Sequence, residues 1–248
     1  MGPPYHLSRF YASPITCRAS LSPITSYLSP ITYHPSPITR IFQAVPSVNI
    51  AVLASGKGSN LQALLDALAT PDSPGHVALV VSHRDTAPAL TRAKEAGITT
   101  ATIAPDGQDS STLLALFGTH RIGLVVLAGW LKHLPADVIA GCRCPVLNVH
   151  PALLPAFGGP GMYGRKVHEA VLTSGARVSG PTVHLVDEQY DHGRILAQWP
   201  VPVRVDDTPE TLAARVLAVE HRLLPCVVRA CAQLLGAQGG GRRQGCER

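Results

Sequence analysis

No aspartate or glutamate occurs before Asp66, so the first quarter of the chain is free of acid. Charged residues make up only 15% of the 248 and aromatics only 5%. The formal net charge of +5 is scattered, part of it in the N-terminal stretch and in Arg242, Arg243 and Arg248. No basic patch interleaved with aromatics accompanies it, which argues against a nucleic-acid partner. An anionic small molecule explains the sign as well. No apolar run approaches the ~20 residues that a membrane helix requires, so no membrane partner is expected. The six cysteines, at 17, 142, 144, 226, 231 and 246, lack CxxC spacing. No secretory segment precedes them, so reduced, mostly structural thiols are expected. The Cys142-x-Cys144 pair is the exception, and it has no partner ligands nearby in sequence. No metal set stands out: His133, His168 and His184 fall in three different elements and read either as structural or as supports behind the residues of a site. The expectation is a cytoplasmic protein with small-molecule substrates, working as a monomer or homodimer.

Residues 1–47 differ from the rest. Ser-Pro-Ile-Thr recurs at 13–16, 22–25, 29–32 and 36–39, the last three copies at a seven-residue spacing. A proline in each copy excludes a heptad coiled coil. Three readings fit: a disordered low-complexity extension, arising from a start codon placed too early over a tandem DNA repeat; an organelle-targeting segment, which is typically acid-poor; or an interaction arm. The extension is left out of the fold.

From Val48 onward strands and helices alternate. Val48 to Ala54 reads as a buried strand, followed by a Ser55-Gly56-Lys57-Gly58-Ser59-Asn60 turn. A helix then carries Leu61, Leu64, Leu65 and Leu68 on one stripe. Strands are predicted at Val77–Val81, Thr99–Ile103 and Leu124–Ala128, with helices at Ala87–Ala96, Thr112–His120 and Pro135–Ala140. Gly97 is placed to stop the second helix. Another strand, from Pro145, ends at Asn148. This alternation predicts an α/β fold with a doubly wound, mostly parallel sheet. After the Gly158–Gly161 loop come a helix over Lys166–Ser174 and two strands, Thr182–Val186 and Ile195–Trp199. Their short connection predicts an antiparallel C-terminal addition. Thr208 is a good N-cap before a long helix with Leu212, Val216, Val219 and Leu223 on its buried side. The folded domain is placed at 48–235 and a flexible tail at 236–248.

Three pieces carry chemistry. The first is Asn148-Val149-His150-Pro151, an amide and an imidazole two residues apart at a strand end, hence on one face. Pro151 ends the strand, and open α/β sheets bind ligands at such carboxyl ends. The second is the turn at 55–60, a backbone nest at a helix N-terminus that suits an anion. Ala51 stands where a Walker A loop needs glycine, and Leu61 where a dinucleotide fingerprint needs one. A single phosphate on a small substrate fits better, with a ligand-free glycine turn as the alternative. The third is Asp191, in the loop Asp187-Glu188-Gln189-Tyr190-Asp191-His192-Gly193. Folded over the end of the Asn148 strand, its carboxylate would raise the His150 pKa and make it an acid near neutrality. Asn148 could hold an oxyanion through its NH₂ group. Amide, imidazole and carboxylate without a nucleophile suggest direct acyl transfer to an amine. Taken singly, a His before Pro can equally be structural, and an acidic loop simply solvated.

In this order, SGKGSN-LQALLDAL, VVLAGWLKHL, NVHPALLP, GPTVHLVDEQYDHGRILAQ and ETLAARVLAVEHRLLP resemble the phosphoribosylglycinamide formyltransferase family from about Val48 to about Leu235. The resemblance implies the Rossmann-like formyltransferase fold. It also implies transfer of the formyl group of 10-formyltetrahydrofolate to the amine of 5′-phosphoribosylglycinamide in purine biosynthesis. On that basis 10-formyltetrahydrofolate is a co-substrate and no metal is needed. Asn148, His150 and Asp191 match the catalytic triad, with His150 as proton donor. Gly58, Ser59 and Asn60 match the substrate phosphate site, and Glu220 matches a residue contacting the ribose or glycinamide part. Leu131, Lys132, His133 and Leu134, with Asp187, Glu188, Gln189, Tyr190 and Asp191, match the loops whose backbone reads the folate; Asn148 adjoins them. His184 matches an inward histidine. The segment Pro105–Ser111 is shorter than in that family and lacks a folate-contacting arginine, for which Arg84 and Lys132 are candidate replacements. The Phe157–Tyr163 loop is longer and glycine-rich, and His192 stands where small residues are common. A tRNA formyltransferase would want a further C-terminal domain, and a formyltetrahydrofolate deformylase an N-terminal regulatory one. A non-catalytic phosphate-ligand module would have no use for the triad.

Overall fold

A computed structural model describes residues 47–241, and the readings placed on 1–46 and 242–248 lie outside the described residues. Five strands in a row, β1 (Val48–Leu53), β2 (Gly75–Ser82), β3 (Thr99–Thr102), β4 (Ile122–Leu127) and β5 (Val146–His150), pair in parallel with one another. Their helices are α1 (Ser59–Leu68), α2 (Pro88–Glu95), α3 (Ser110–Thr119) and α4 (Ala136–Gly141). After α5 (Arg165–Thr173) come β6 (Val178–Ser179), β7 (Thr182–Leu185), β8 (Ile195–Gln198) and β9 (Val201–Pro202), and last α6 (Pro209–Gly241). The seven-stranded sheet runs β3-β2-β1-β4-β5-β7-β8, with β7 and β8 antiparallel to their neighbours. The doubly wound sheet with an antiparallel addition is therefore present. The two-residue β6–β9 ladder was not foreseen, because pieces that short carry no periodicity.

The central strands are apolar on both faces because both are covered. In β1, Ile50 and Val52 pack into one core with α1, α2 and α6, while Ala51 and Leu53 enter a second core with Leu113 and Phe117 of α3. Strand order reverses between β1 and β4, which opens a crevice at their carboxyl ends. Among the described residues no helix is long and apolar enough to cross a membrane.

Capping explains where helix ends agree with the sequence and where they move. Thr208 Oγ1 accepts the Thr211 N–H and starts α6 as expected. Asp109 accepts from the Thr112 N–H, so α3 begins at Ser110 rather than at Thr112. Gly97 adopts φ 70° and closes α2. Gly236 does not act as a stop: it is buried inside α6, which continues to Gly241, so the expected tail boundary at 236 falls within helix.

One row of buried positions in α6 recurs every four residues, Leu212, Val216, Glu220, Leu224, Val228 and Ala232, with Leu223 and Pro225 buried beside it. A row at this spacing drifts around a 3.6-residue helix. Its first turns pack with Val171 and Val201, and its later turns join β1 and α1. One member of the row is a glutamate.

Candidate functional site

The ends of β4 and β5, the loops following β4, β5 and β7, and the first half of α6 enclose a cavity of about 590 Å³. Asn148 and His150 share one face of β5, and both look into it. Asp191 reaches them from the β7–β8 loop, its backbone at φ 54°. One carboxylate oxygen accepts from Asn148 Nδ2 at 3.4 Å. The other lies 3.4 Å from His150 Nδ1 and accepts the Gly159 N–H at 3.0 Å. The expected convergence of three side chains is met.

Two details differ from expectation. The His150 pKa is lowered, not raised: burial outweighs the upward pull of Asp191 and of the Phe157 carbonyl, and His184 pushes it further down. Both ring nitrogens nevertheless face oxygen acceptors, with Nε2 2.8 Å from the Phe157 carbonyl. A proton arriving on His150 finds both N–H groups matched. Second, the Asn148 NH₂ is not idle. Besides Asp191, it lies 3.1 Å from His184 Nε2, while His184 Nδ1 donates to the Leu185 carbonyl at 2.8 Å. A carbonyl oxygen only accepts, so His184 Nδ1 carries a hydrogen. His184 lies within 3.6 Å of Asp191 and is part of the constellation rather than a bystander. Burial pushes the Asp191 carboxyl up, but His184, His150 and the Gly159 N–H more than offset it, leaving the pKa below its ordinary value.

Of the residues matched to folate recognition, Leu131, Lys132, His133, Leu134, Asp187, Gln189 and Tyr190 all line the cavity. Glu188 does not; its carbonyl faces His133 Nε2 at 3.2 Å, and the His133 and Tyr190 rings lie 4.6 Å apart. His133 thus latches the two loops together. Of the candidates for the missing arginine, Lys132 lines the cavity and Arg84 does not.

Asn60 and Glu220 also line the cavity, joined by a 2.7 Å bond from Asn60 Nδ2, with Asn60 Oδ1 buried and unpartnered. Gly58 and Ser59 do not line this cavity. Ser59 borders a separate depression with Arg92 and His221. Gly58 has a steric reason to be glycine: at φ 73°, a Cβ would sit 2.8 Å from Ala89 Cα. No side chain caps α1, so its first-turn N–H groups remain available to an anion.

Two further residues line the cavity: His168, read from the sequence as structural or supporting, and Arg165, which the sequence reading did not single out. His168 is buried in the wall with Nδ1 unpartnered, its pKa lowered by burial and by His150. Arg165 pairs with Glu169 and with Glu210. His168 adjoins the buried Val167 and lies one turn before Val171, so a histidine beside an apolar i, i+4 pair was the available signal.

Burial raises the Glu220 carboxyl from 4.5 to about 7, against the opposing Asn60 bond. The folded state therefore holds a proton that the unfolded state has released between those values, and stability falls as pH rises through that window. Glu220→Gln should match the wild type near pH 4.5 and exceed it at pH 8, by an order-of-magnitude ~3 kcal/mol. Thermal unfolding of both proteins at the two pH values checks this; parallel melting temperatures would contradict it.

A family model described as formyl transferase matches residues 48–228. The chain is 44% identical over 187 residues to the chloroplastic phosphoribosylglycinamide formyltransferase of Arabidopsis thaliana, covering 73% of this chain and 64% of that one. It is 37% identical to the Escherichia coli phosphoribosylglycinamide formyltransferase, covering 73% and 85%. The chain thus spans less than two thirds of the length of the Arabidopsis relative and most of the bacterial one. The crystal structure of phosphoribosylglycinamide formyltransferase from Anaplasma phagocytophilum superposes with a TM-score of 0.70 at 35% identity, covering 75% and 87%.

Proposed function

The chain belongs to the formyl transferase family, and from that premise we propose that it moves the formyl group of 10-formyltetrahydrofolate to the amine of 5′-phosphoribosylglycinamide, a step of purine biosynthesis. The observation that carries this reading is a single cavity lined by Asn148, His150 and Asp191, by residues of the loops 131–134 and 187–190, and by Asn60 and Glu220. The loops 131–134 and 187–190 suit the folate. Asn60 and Glu220, beside the uncapped α1 terminus, suit a phosphorylated sugar.

In the proposed reaction the amine nitrogen attacks the formyl carbon, and the carbonyl oxygen gains negative charge. Asn148 Nδ2 can turn to it by giving up its 3.4 Å bond to Asp191, its longest. As the bond to the folate nitrogen breaks, protonated His150 supplies the proton that nitrogen needs to leave, and the proton shed by the amine restores the charge on His150, directly or through solvent, so none is gained or lost overall. Asp191 holds the imidazole and favours its charged form.

The test mixes the full chain with the ribonucleotide and a 10-formyl folate and follows formyl loss by absorbance, with a control lacking ribonucleotide. Loss only with ribonucleotide is expected. Loss without it would mark a deformylase, and no loss in either tube would overturn the reading. In the same assay Asn60→Ala should raise the ribonucleotide KM by ~10-fold with a smaller change in kcat, because a ground-state contact is removed. Subcellular fractionation and light scattering test the remaining proposals, a cytoplasmic protein acting as a monomer or homodimer. Recovery in an organelle, as the name of the chloroplastic relative implies for that protein, would overturn the first.

A further inference from the structure

Ser55 and His83 form a buried pair just outside the cavity wall, 1% and 5% exposed, and neither lines the cavity. Ser55 follows β1 and His83 follows β2, so the parallel register delivers both to the carboxyl edge of the sheet. Ser55 Oγ lies 3.2 Å from His83 Nδ1 and accepts the Leu131 N–H at 3.0 Å. The Ser55 backbone N–H donates to the Gly129 carbonyl at 3.1 Å. The turn after β4 is therefore pinned to Ser55 at two points, and the His83 ring meets Trp130 edge-on at 5.0 Å.

A serine hydroxyl has one hydrogen and two lone pairs. The Leu131 N–H takes one lone pair, and the His83 bond is made either by the hydroxyl hydrogen pointing to a bare Nδ1 or by an Nδ1–H pointing to the second lone pair. Burial, then Lys132 and Arg84, lower the His83 pKa. A serine donating to a histidine also resembles an activated nucleophile. Here the hydroxyl is sealed from the cavity and already spent on a backbone amide, so it has no route to a substrate.

We propose that Ser55 and His83 are a positioning pair that fixes the backbone of Leu131–Leu134 for its contact with the formyl folate. The proposal rests on the formyl-folate reading above. It makes folate binding sensitive to a residue that touches no ligand, and leaves the Asn60–Glu220 pair indifferent to it. It also explains why histidine rather than an apolar residue occupies this buried place: an apolar replacement leaves the Ser55 hydroxyl without that partner, free to rotate away from Leu131.

His83→Ala and Ser55→Ala should each raise the KM for the 10-formyl folate by ~10-fold, the scale of one buried hydrogen-bond partner lost. In His83→Ala, outside the anion-binding turn at 55–60, the ribonucleotide KM should move by less than ~2-fold. His83→Asn should restore the folate KM to within ~3-fold of wild type, since its side-chain amide accepts or donates where Nδ1 did. Hydrogen exchange of the peptide covering 129–134 reads the turn without any turnover. It should quicken in His83→Ala and not in His83→Asn. If the wild type transfers no formyl group, the functional reading fails, and the exchange data still judge the pair. Equal rises in both KM values of His83→Ala, an Asn variant no better than Ala, or unchanged exchange at 129–134 would each overturn the proposal.

Discussion

His150→Ala and Asp191→Ala are each expected to lower kcat by at least ~100-fold, the usual scale for a positioned acid–base group. The ribonucleotide KM should hardly change, because the ribonucleotide is assigned to Asn60 and Glu220, which bond to each other and not to His150 or Asp191. Removing His150 deletes the ring placed between Asp191 and the Phe157 carbonyl. Removing Asp191 acts through four partners at once: Asn148, His150, His184 and the Gly159 N–H. Asp191→Asn separates charge from shape. Its amide oxygen can still accept the Gly159 N–H, but the largest upward influence on the His150 pKa is gone. A reaction that needs His150 protonated loses rate as pH rises through that pKa. In Asp191→Asn the loss should therefore set in at lower pH than in the wild type. A kcat–pH profile for the three variants is the measurement. Falls of less than tenfold in both alanine variants, or an Asn profile displaced to higher pH, would remove these residues from the roles given to them.

The second large effect is expected at a residue with no side chain. In Gly193→Ala the new Cβ would overlap the Leu185 carbonyl oxygen and lie 3.4 Å from the Asp187 N. The neighbouring backbone bond, Leu185 N–H to the Arg194 carbonyl at 2.9 Å, leaves little room to yield. The clash falls where β7 ends and the loop carrying Asp191 begins. Relieving it moves that loop, and a shift of ~1 Å at a catalytic group can cost ~100-fold in rate. The same overlap is expected to cost on the order of 3 kcal/mol, or ~6–12 °C in Tm for a domain of this size. Gly175→Ala is the natural comparison. That glycine also sits at positive φ, 74°, but nothing lies within 4 Å of its would-be Cβ. It should cost only ~1 kcal/mol and leave kcat intact. Melting curves and turnover of the two variants, side by side, decide the matter. A Gly193→Ala protein with the wild-type Tm and kcat would show that the loop can relax and that its glycine is not required.

Alternation of apolar runs with helical stripes was enough to predict the parallel sheet, since strands buried on both faces must be apolar throughout. Asn148 and His150 were readable for the same local reason: two residues apart on a strand, they share a face whatever the rest of the chain does. Thr208 and Gly97 announced a helix start and a helix stop because caps are short-range chemistry. The meeting of Asp191 with that strand depended on β7 pairing with β5, a long-range choice that motif resemblance conveyed and periodicity did not. Other features were decided by tertiary structure alone. Burial turned the His150 pKa downward although its carboxylate neighbour was foreseen. The drift of a four-residue row around α6 placed Glu220 among buried positions, where its carboxyl rises to about 7. Ala89 made Gly58 a packing necessity, and His83, 28 residues from Ser55, found the hydroxyl that holds Leu131. Local geometry follows from neighbours along the chain, whereas solvation and proton positions follow from neighbours in space, and these the order of residues does not display.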